Sequence, residues 1–231
     1  MTRPSVVRDL VSTDPVRRAR SVEVIARGYW QPIYRYIRIR WSAQPSEAED
    51  LTQSFFDSAL DREALSTYEP GRARFRTFLR TCLDRHVIDQ HRRSTAERRG
   101  GGRHQLEVTS LEAELPATPL TDDPEAVFDA EWLRHLLGLA VEQLEATFKE
   151  RGKPIHAALF RTFHLGDDPP SYSDVAATHG ISVTDVTNWL HVARREFRRI
   201  ALDLLRELTA SEEEFDQEAL AVFGIDTKAA D

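Results

Sequence analysis

Apolar residues recur along this chain mostly at intervals of three and four, and strict alternation is rare. Between Arg72 and Arg103 the series is Phe75, Phe78, Leu79, Cys82, Leu83, His86 and Val87, which marks one face of a helix. Upstream, Asp14-Pro15 reads as an N-cap followed by proline at the first helical position. That helix runs through Val22, Ile25 and Ala26 towards Trp30, where Pro32, lacking a backbone donor, is expected to interrupt or kink it. Ile33–Trp41 alternates Ile and Tyr with Arg and would also suit a strand, but no partner strand lies nearby, so helix is predicted. Ser46 and Glu49 have capping-box spacing. The helix they open sets Leu51, Phe55, Phe56 and Ala59 on or beside one face, with Asp50, Gln53 and Asp57 on another. Tyr68-Glu69-Pro70-Gly71 is a turn into the Arg72–Arg103 stretch.

The second half repeats the helical period. From His104 to Leu133 the chain has no Lys or Arg, many acids, and Pro116, Pro119 and Pro124. This composition predicts a linker, ended by an Asp123-Pro124 helix start with Val127, Phe128, Trp132, Leu136, Leu139, Leu144 and Phe148 as its apolar series. A short helix at Ile155–Phe163 is broken by Gly166–Pro170. Ser171–Asp174 and Ser182–Asp185 are two more capping boxes, joined by His179-Gly180-Ile181. Two capped helices with Gly between them have the helix-turn-helix layout. A final helix, capped by Ser211 and striped with Phe215, Ala219, Val222 and Phe223, is expected to dock on this last module. The predicted fold is all-α, with two small helical domains at 14–99 and 124–208, the second a helix-turn-helix. An acidic linker at 100–123 joins them, and a short acidic helical extension occupies 209–231.

Charge adds what periodicity cannot. The chain is acidic overall, with a net charge of −7, yet residues 1–103 hold 20 Lys and Arg against 13 Asp and Glu, and residues 104–231 hold 11 against 25. Ten Arg fall within Arg72–Arg103 alone. A helix with one apolar and one arginine face, ending in an Arg/Gly tail, suits a polyphosphate backbone. Arg76, Arg80, Arg85 and Arg92 are its best DNA candidates. Arg74, with Phe75 and Phe78, offers both phosphate and base contacts, although Phe75 is the stronger candidate for the core. Cys82 is the single cysteine, so neither an internal disulfide nor a Cys-rich zinc site is available. No apolar run is long enough to span a membrane, and a cytoplasmic protein is expected.

Four stretches in order resemble bacterial sigma factors of the extracytoplasmic-function group of the sigma-70 family. Ala48–Phe56, AEDLTQSFF, resembles the family helix that binds the clamp helices of RNA polymerase, which implies Asp50, Gln53 and Phe56 as polymerase contacts. Arg74–Arg93 resembles the promoter-melting and minus-ten helix, adding Arg93 to the DNA set, and ERRGGGR at 97–103 resembles the tail of one subset. Tyr172–Ile200 resembles the minus-thirty-five helix-turn-helix. There Thr184, Asp185, Thr187, Asn188, His191, Arg194 and Arg195 are implied DNA contacts. The resemblance implies core polymerase (clamp helices and flap) and promoter DNA as partners, an anti-sigma factor or protein kinase as candidate regulators, and no cofactor. Two departures stand out. Asp84-Arg85 replaces the usual Arg-Asn pair, and Thr187, Asn188 and Trp189 stand where Lys or Arg is usual; Asn can still read an adenine edge.

No catalytic constellation is present, Cys82 and His86 find no further metal ligands, and Gly100–Gly102 lacks the strand and Lys-Ser/Thr of a phosphate loop. Two other classes stay open: an independent helix-turn-helix regulator and a helical adaptor with no nucleic-acid role. The acidic linker and tail are also expected to be able to fold back on the arginine helix or on Arg194–Arg199 and suppress DNA binding.

Overall fold

The carboxylate of Asp14 starts the first long helix by accepting from the Val16 N–H at 2.9 Å and the Arg17 N–H at 3.5 Å, while Pro15 occupies a position that has no intrahelical partner for an N–H. In the computed structural model, which describes residues 6–59, 67–98, 123–166 and 168–227, the secondary structure among the described residues is entirely helical. In chain order the helices are α1 (Val6–Asp9), α2 (Pro15–Arg40), α3 (Pro45–Ala59), α4 (Phe75–Arg98) and α5 (Pro124–Glu150), then α6 (Pro154–His164), α7 (Tyr172–His179), α8 (Val183–Glu207) and α9 (Glu212–Phe223). The chain divides into two units, one made of residues 1–135 with 206–231, the other of residues 136–205.

The first unit is built on α2, which Pro32 does not interrupt. Helix α2 runs unbroken through the proline, whose missing N–H forgoes only the bond to the Gly28 carbonyl. Pro32 is itself buried, as are Tyr29 and Ile33 of the same helix, so packing offsets the lost bond. The core behind α2 is aromatic. Tyr29 meets Phe75 edge-on at 5.8 Å and stacks on Trp132 at 6.4 Å, and Tyr36 meets Phe128 edge-on at 5.4 Å. Each such ring is worth roughly 2–3 kcal/mol of apolar burial, so these contacts decide which faces of α2, α4 and α5 turn inward. Arg35 pairs with Glu131 at 3.3 Å, and the His135 imidazole donates to the Arg27 carbonyl at 2.8 Å, tying the first half of α5 to α2. Gly28 has a packing role: a Cβ there would lie 2.6 Å from Leu208 Cδ2, so its absence lets the chain beyond α8 press against α2.

The start of α3 departs from expectation. The helix opens at Pro45, two residues' worth of cap before the anticipated Ser46–Glu49 box, and the Gln44 N–H donates to Glu47 Oε2 at 3.4 Å. Proline's preset φ favours the first helical position and outweighs the serine cap. The acidic C-terminal helix also departs. It belongs with the first unit, so it does not dock on the helix-turn-helix module but lies against the start of the arginine helix, the other placement the sequence left open. Phe215 and Ala219 are buried there, and the Arg206 guanidinium sits 4.0 Å over the Phe215 ring.

In the second unit, Leu159, Val175, Ala176 and Val186 form a small core, flanked by Ile155, Phe163, Ile181 and Trp189. Ser171 caps α7 by accepting from the Asp174 N–H at 3.1 Å. Gly180 ends α7 in the left-handed region at φ 63°, a conformation a side chain would disfavour. Ser182 and Asp185 then exchange bonds, Asp185 N–H to Ser182 Oγ at 3.0 Å and Ser182 N–H to Asp185 Oδ2 at 3.1 Å. This is the predicted helix-turn-helix geometry. The expected 100–123 linker and the Arg/Gly tail after Arg98 lie almost wholly outside the described residues.

Candidate nucleic-acid interface

Helix α4 turns one row inward at four-residue spacing, with Phe75, Leu79, Leu83 and Val87 all buried. The next row, Arg76, Arg80 and Asp84, is carried partly into the protein with it. Arg76 is only 6% exposed. Its Nη1 donates to Glu218 at 2.7 Å, its Nη2 to Asp129 at 3.0 Å, and its guanidinium lies 4.9 Å over the Trp132 ring. Arg74 Nε pairs with the other oxygen of Glu218 at 3.4 Å. Arg80 reaches Asp84 at 3.4 Å and Glu125 at 3.5 Å. Of the six arginines singled out for DNA in and just before α4, Arg74, Arg76 and Arg80 are therefore engaged by carboxylates of α5 or α9, helices distant in sequence.

Asp84 now has a physical account. Its Oδ1 accepts from the Tyr36 hydroxyl at 2.9 Å and its Oδ2 from Arg80. Burial pushes its carboxyl above the usual range, while the Tyr36 bond and the Arg80 charge pull it back. An arginine there would face the Tyr36 hydroxyl and Arg80 instead of satisfying them. Arg85 and Arg93 are exposed and Arg92 half-buried, the last beside Asp89 at 3.6 Å. Positions 85, 89, 92 and 93 share one face of the helix, so an outward basic stripe lies on the C-terminal half of α4, not along its whole length.

His86, on the apolar side, is satisfied by α3: Ser54 Oγ lies 2.9 Å from Nε2 and Ser58 Oγ 3.2 Å from Nδ1. Burial holds its pKa below the ordinary value, which keeps the ring neutral as a bridge between two helices. Among the described residues no group of three or more His, Cys, Asp or Glu is placed to hold a metal. On α3 the three predicted polymerase contacts separate. Asp50 and Gln53 are exposed, with Gln53 Nε2 3.3 Å from Asp57. Phe56 is buried and stacks on Trp30 at 5.3 Å.

In the helix-turn-helix, Thr184, Thr187, Asn188, His191, Arg194 and Arg195 are exposed on α8. Asp185 is the reciprocal partner of the Ser182 cap, and the Ser182 hydroxyl and amide hold its carboxyl below the usual range. Trp189, one of the three residues noted as a departure, stacks at 5.1 Å on His156, which stacks at 5.0 Å on Phe148. Its large ring fills space in a small core, a packing role. Arg194 donates to His164 at 2.8 Å, and Arg199 is held by Glu196 and Asp203.

Sequence reasoning missed Glu214 and Glu218. Glu214 stands three residues after Ser211, and its N–H does bond the Ser211 hydroxyl at 3.1 Å. Its carboxylate, however, accepts from the Phe75 N–H at 2.6 Å, the Ala210 N–H at 2.8 Å and the Tyr68 hydroxyl at 3.3 Å. It thereby caps α4 from the far end of the chain. The Ser-x-x-Glu pattern was visible, but which helix the carboxylate would cap was not.

Among the described residues the protein is thus all-α, with an arginine-bearing helix held by carboxylates in one unit and a helix-turn-helix in the other. Residues 26–97 match the family model for sigma-70 region 2, which spans α2 from its middle, α3 and nearly all of α4. The match covers less than half of the chain, so it is this stretch that is similar to sigma-70 region 2. No curated protein and no solved structure matches the chain. No helix among the described residues is long and apolar enough to cross a membrane.

Proposed function

We propose that this chain is a promoter-specificity subunit of bacterial RNA polymerase, of the extracytoplasmic-function group. It binds the core enzyme, brings it to particular promoters and opens them, while the chemistry belongs to the polymerase. The observation that carries this reading is the exposed Asp50 and Gln53 on α3, a helix bridged to the arginine helix α4 through His86, inside the segment that matches region 2. A free-standing repressor has no need of such a surface.

In this reading the exposed Arg85 and Arg93, with Arg92, hold promoter phosphates and release counterions. Opening the duplex costs a few kcal/mol per unstacked base, which contacts to the separated strand must offset. Arg76 and Arg80 act by fixing α4, not by touching DNA. The helix-turn-helix supplies upstream recognition, with Thr187, Asn188 and His191 towards base edges and Arg195 towards phosphate. The factor works where the polymerase is, in the cytoplasm.

Capture of purified core polymerase by the full chain, followed by run-off transcription, tests the proposal. Binding that is lost in Asp50→Arg supports it. Absence of core binding under any condition sinks it in favour of the independent regulator.

A further inference from the structure

We infer that the C-terminal helix α9 is a working part of the promoter-opening module, in which Glu214 is a positioning residue that fixes the start of α4 and the Tyr68 segment leading into it. This rests on the reading of α4 as the promoter helix.

Three observations converge on it. Glu214, 9% exposed, binds three donors at once, and those donors belong to the segment before α4, to α4 itself and to the turn before α9. The Tyr68 ring, whose hydroxyl is within reach of that carboxylate and of the Ala73 carbonyl at 3.2 Å, packs on Phe75 at 5.3 Å and Phe78 at 5.0 Å, the two aromatic residues nearest the helix start. One turn along α9, Glu218 joins Arg74 and Arg76 through its two oxygens. Four residues of the α4 entry are therefore held by two carboxylates of the tail. Precise placement of groups ahead of a reacting or opening step governs its rate strongly, since small displacements are costly.

The competing idea is that the acidic tail shields arginines from DNA and must leave before they act. The geometry disfavours it. Arg76 is covered by Asp129 and Trp132 of α5 as well as by Glu218, so departure of α9 would not present it. Arg74, the other cation Glu218 holds, is already 38% exposed with the helix in place, so the tail hides neither arginine by itself.

Glu214→Gln tests the inference, because the amide end of glutamine places a donor against donors on one side of the site. The full-length variant is compared with wild type for core-polymerase binding and for run-off transcription from duplex and from pre-melted promoter templates. The expected result is unchanged core binding, duplex transcription reduced about tenfold, and near-wild-type output from the pre-melted template. Tyr68→Phe, which removes a hydroxyl lying 3.3 Å from Glu214 and 3.2 Å from the Ala73 carbonyl, both at the α4 entry, is expected to show the same template-dependent split at smaller amplitude. Equal loss on both templates, loss of core binding by both variants, or a gain in duplex activity would each overturn the inference. If the wild-type chain fails to bind polymerase or open any promoter, the functional reading falls. If the wild type opens promoters and Glu214→Gln does so equally well, only the inference falls.

Discussion

Replacing Arg76 by Met removes one charge from the centre of the first unit while keeping an apolar stem of similar reach. In the native chain the guanidinium serves two buried or half-buried carboxylates at 2.7 and 3.0 Å and lies over the Trp132 ring. Breaking a buried ion pair by deleting one partner costs about 3–5 kcal/mol, chiefly because the remaining charge is stranded. Here Glu218 is stranded at 2% side-chain exposure, with Arg74 at 3.4 Å as a partial substitute, so the lower half of that range is expected at neutral pH. For a unit of this size that is a melting-temperature loss of roughly 6–15 °C. The pH dependence gives the sharper check. Burial already raises the pKa of Glu218 and of Asp129, and Arg76 is the largest influence lowering each. Without it both rise further above their unfolded values. A raised folded pKa means stability that is present at low pH and lost as pH rises through the folded pKa. The deficit of Arg76→Met should therefore be largest near neutrality and shrink on acidification towards about pH 5. Urea denaturation followed by circular dichroism across that interval measures it. A deficit below about 1 kcal/mol at neutral pH, or one that grows on acidification, would refute the view of Arg76 as a buried structural cation.

Other expectations follow from the same geometry. Gly180→Ala meets no atom within 4 Å, so its cost is that of the left-handed backbone alone, about 1 kcal/mol by thermal melting. In promoter binding by the holoenzyme, Arg195→Ala should weaken all sequences alike and lower the salt slope by about one unit. Asn188→Ala should instead lose about 1–3 kcal/mol on the preferred sequence and relax discrimination at one position. Asp50→Arg should abolish capture of core polymerase without changing the melting temperature, since Asp50 is exposed.

Much of this protein was legible locally. The caps at Asp14, Ser171, Ser182 and Ser211 all form, because a cap is settled within about four residues and needs no partner from elsewhere. The apolar series of α4 and the α7–α8 layout were readable for the same reason. The candidate site was less so. Arg76 and Arg80 look like Arg85 and Arg93 in one dimension, and the resemblance implied Phe56 as a polymerase contact, yet Arg76 and Phe56 are buried and Arg80 is half-buried. Helical periodicity gives the phase of a face but not what is docked against its border. Pro32 shows the converse error: a local rule was overridden by burial of the ring.

By itself the sequence determined the helices, their ends, the helix-turn-helix and the concentration of arginine in one stretch, all consequences of short-range hydrogen bonding and of side-chain period. Tertiary structure alone decided which arginines remain outside. Carboxylates from Asp129, some 50 residues along the chain, and Glu218, about 140 along, meet Arg76 only once α5 and α9 have packed. Charge pairing across such distances follows from how apolar faces assemble, and that is a property of the whole unit.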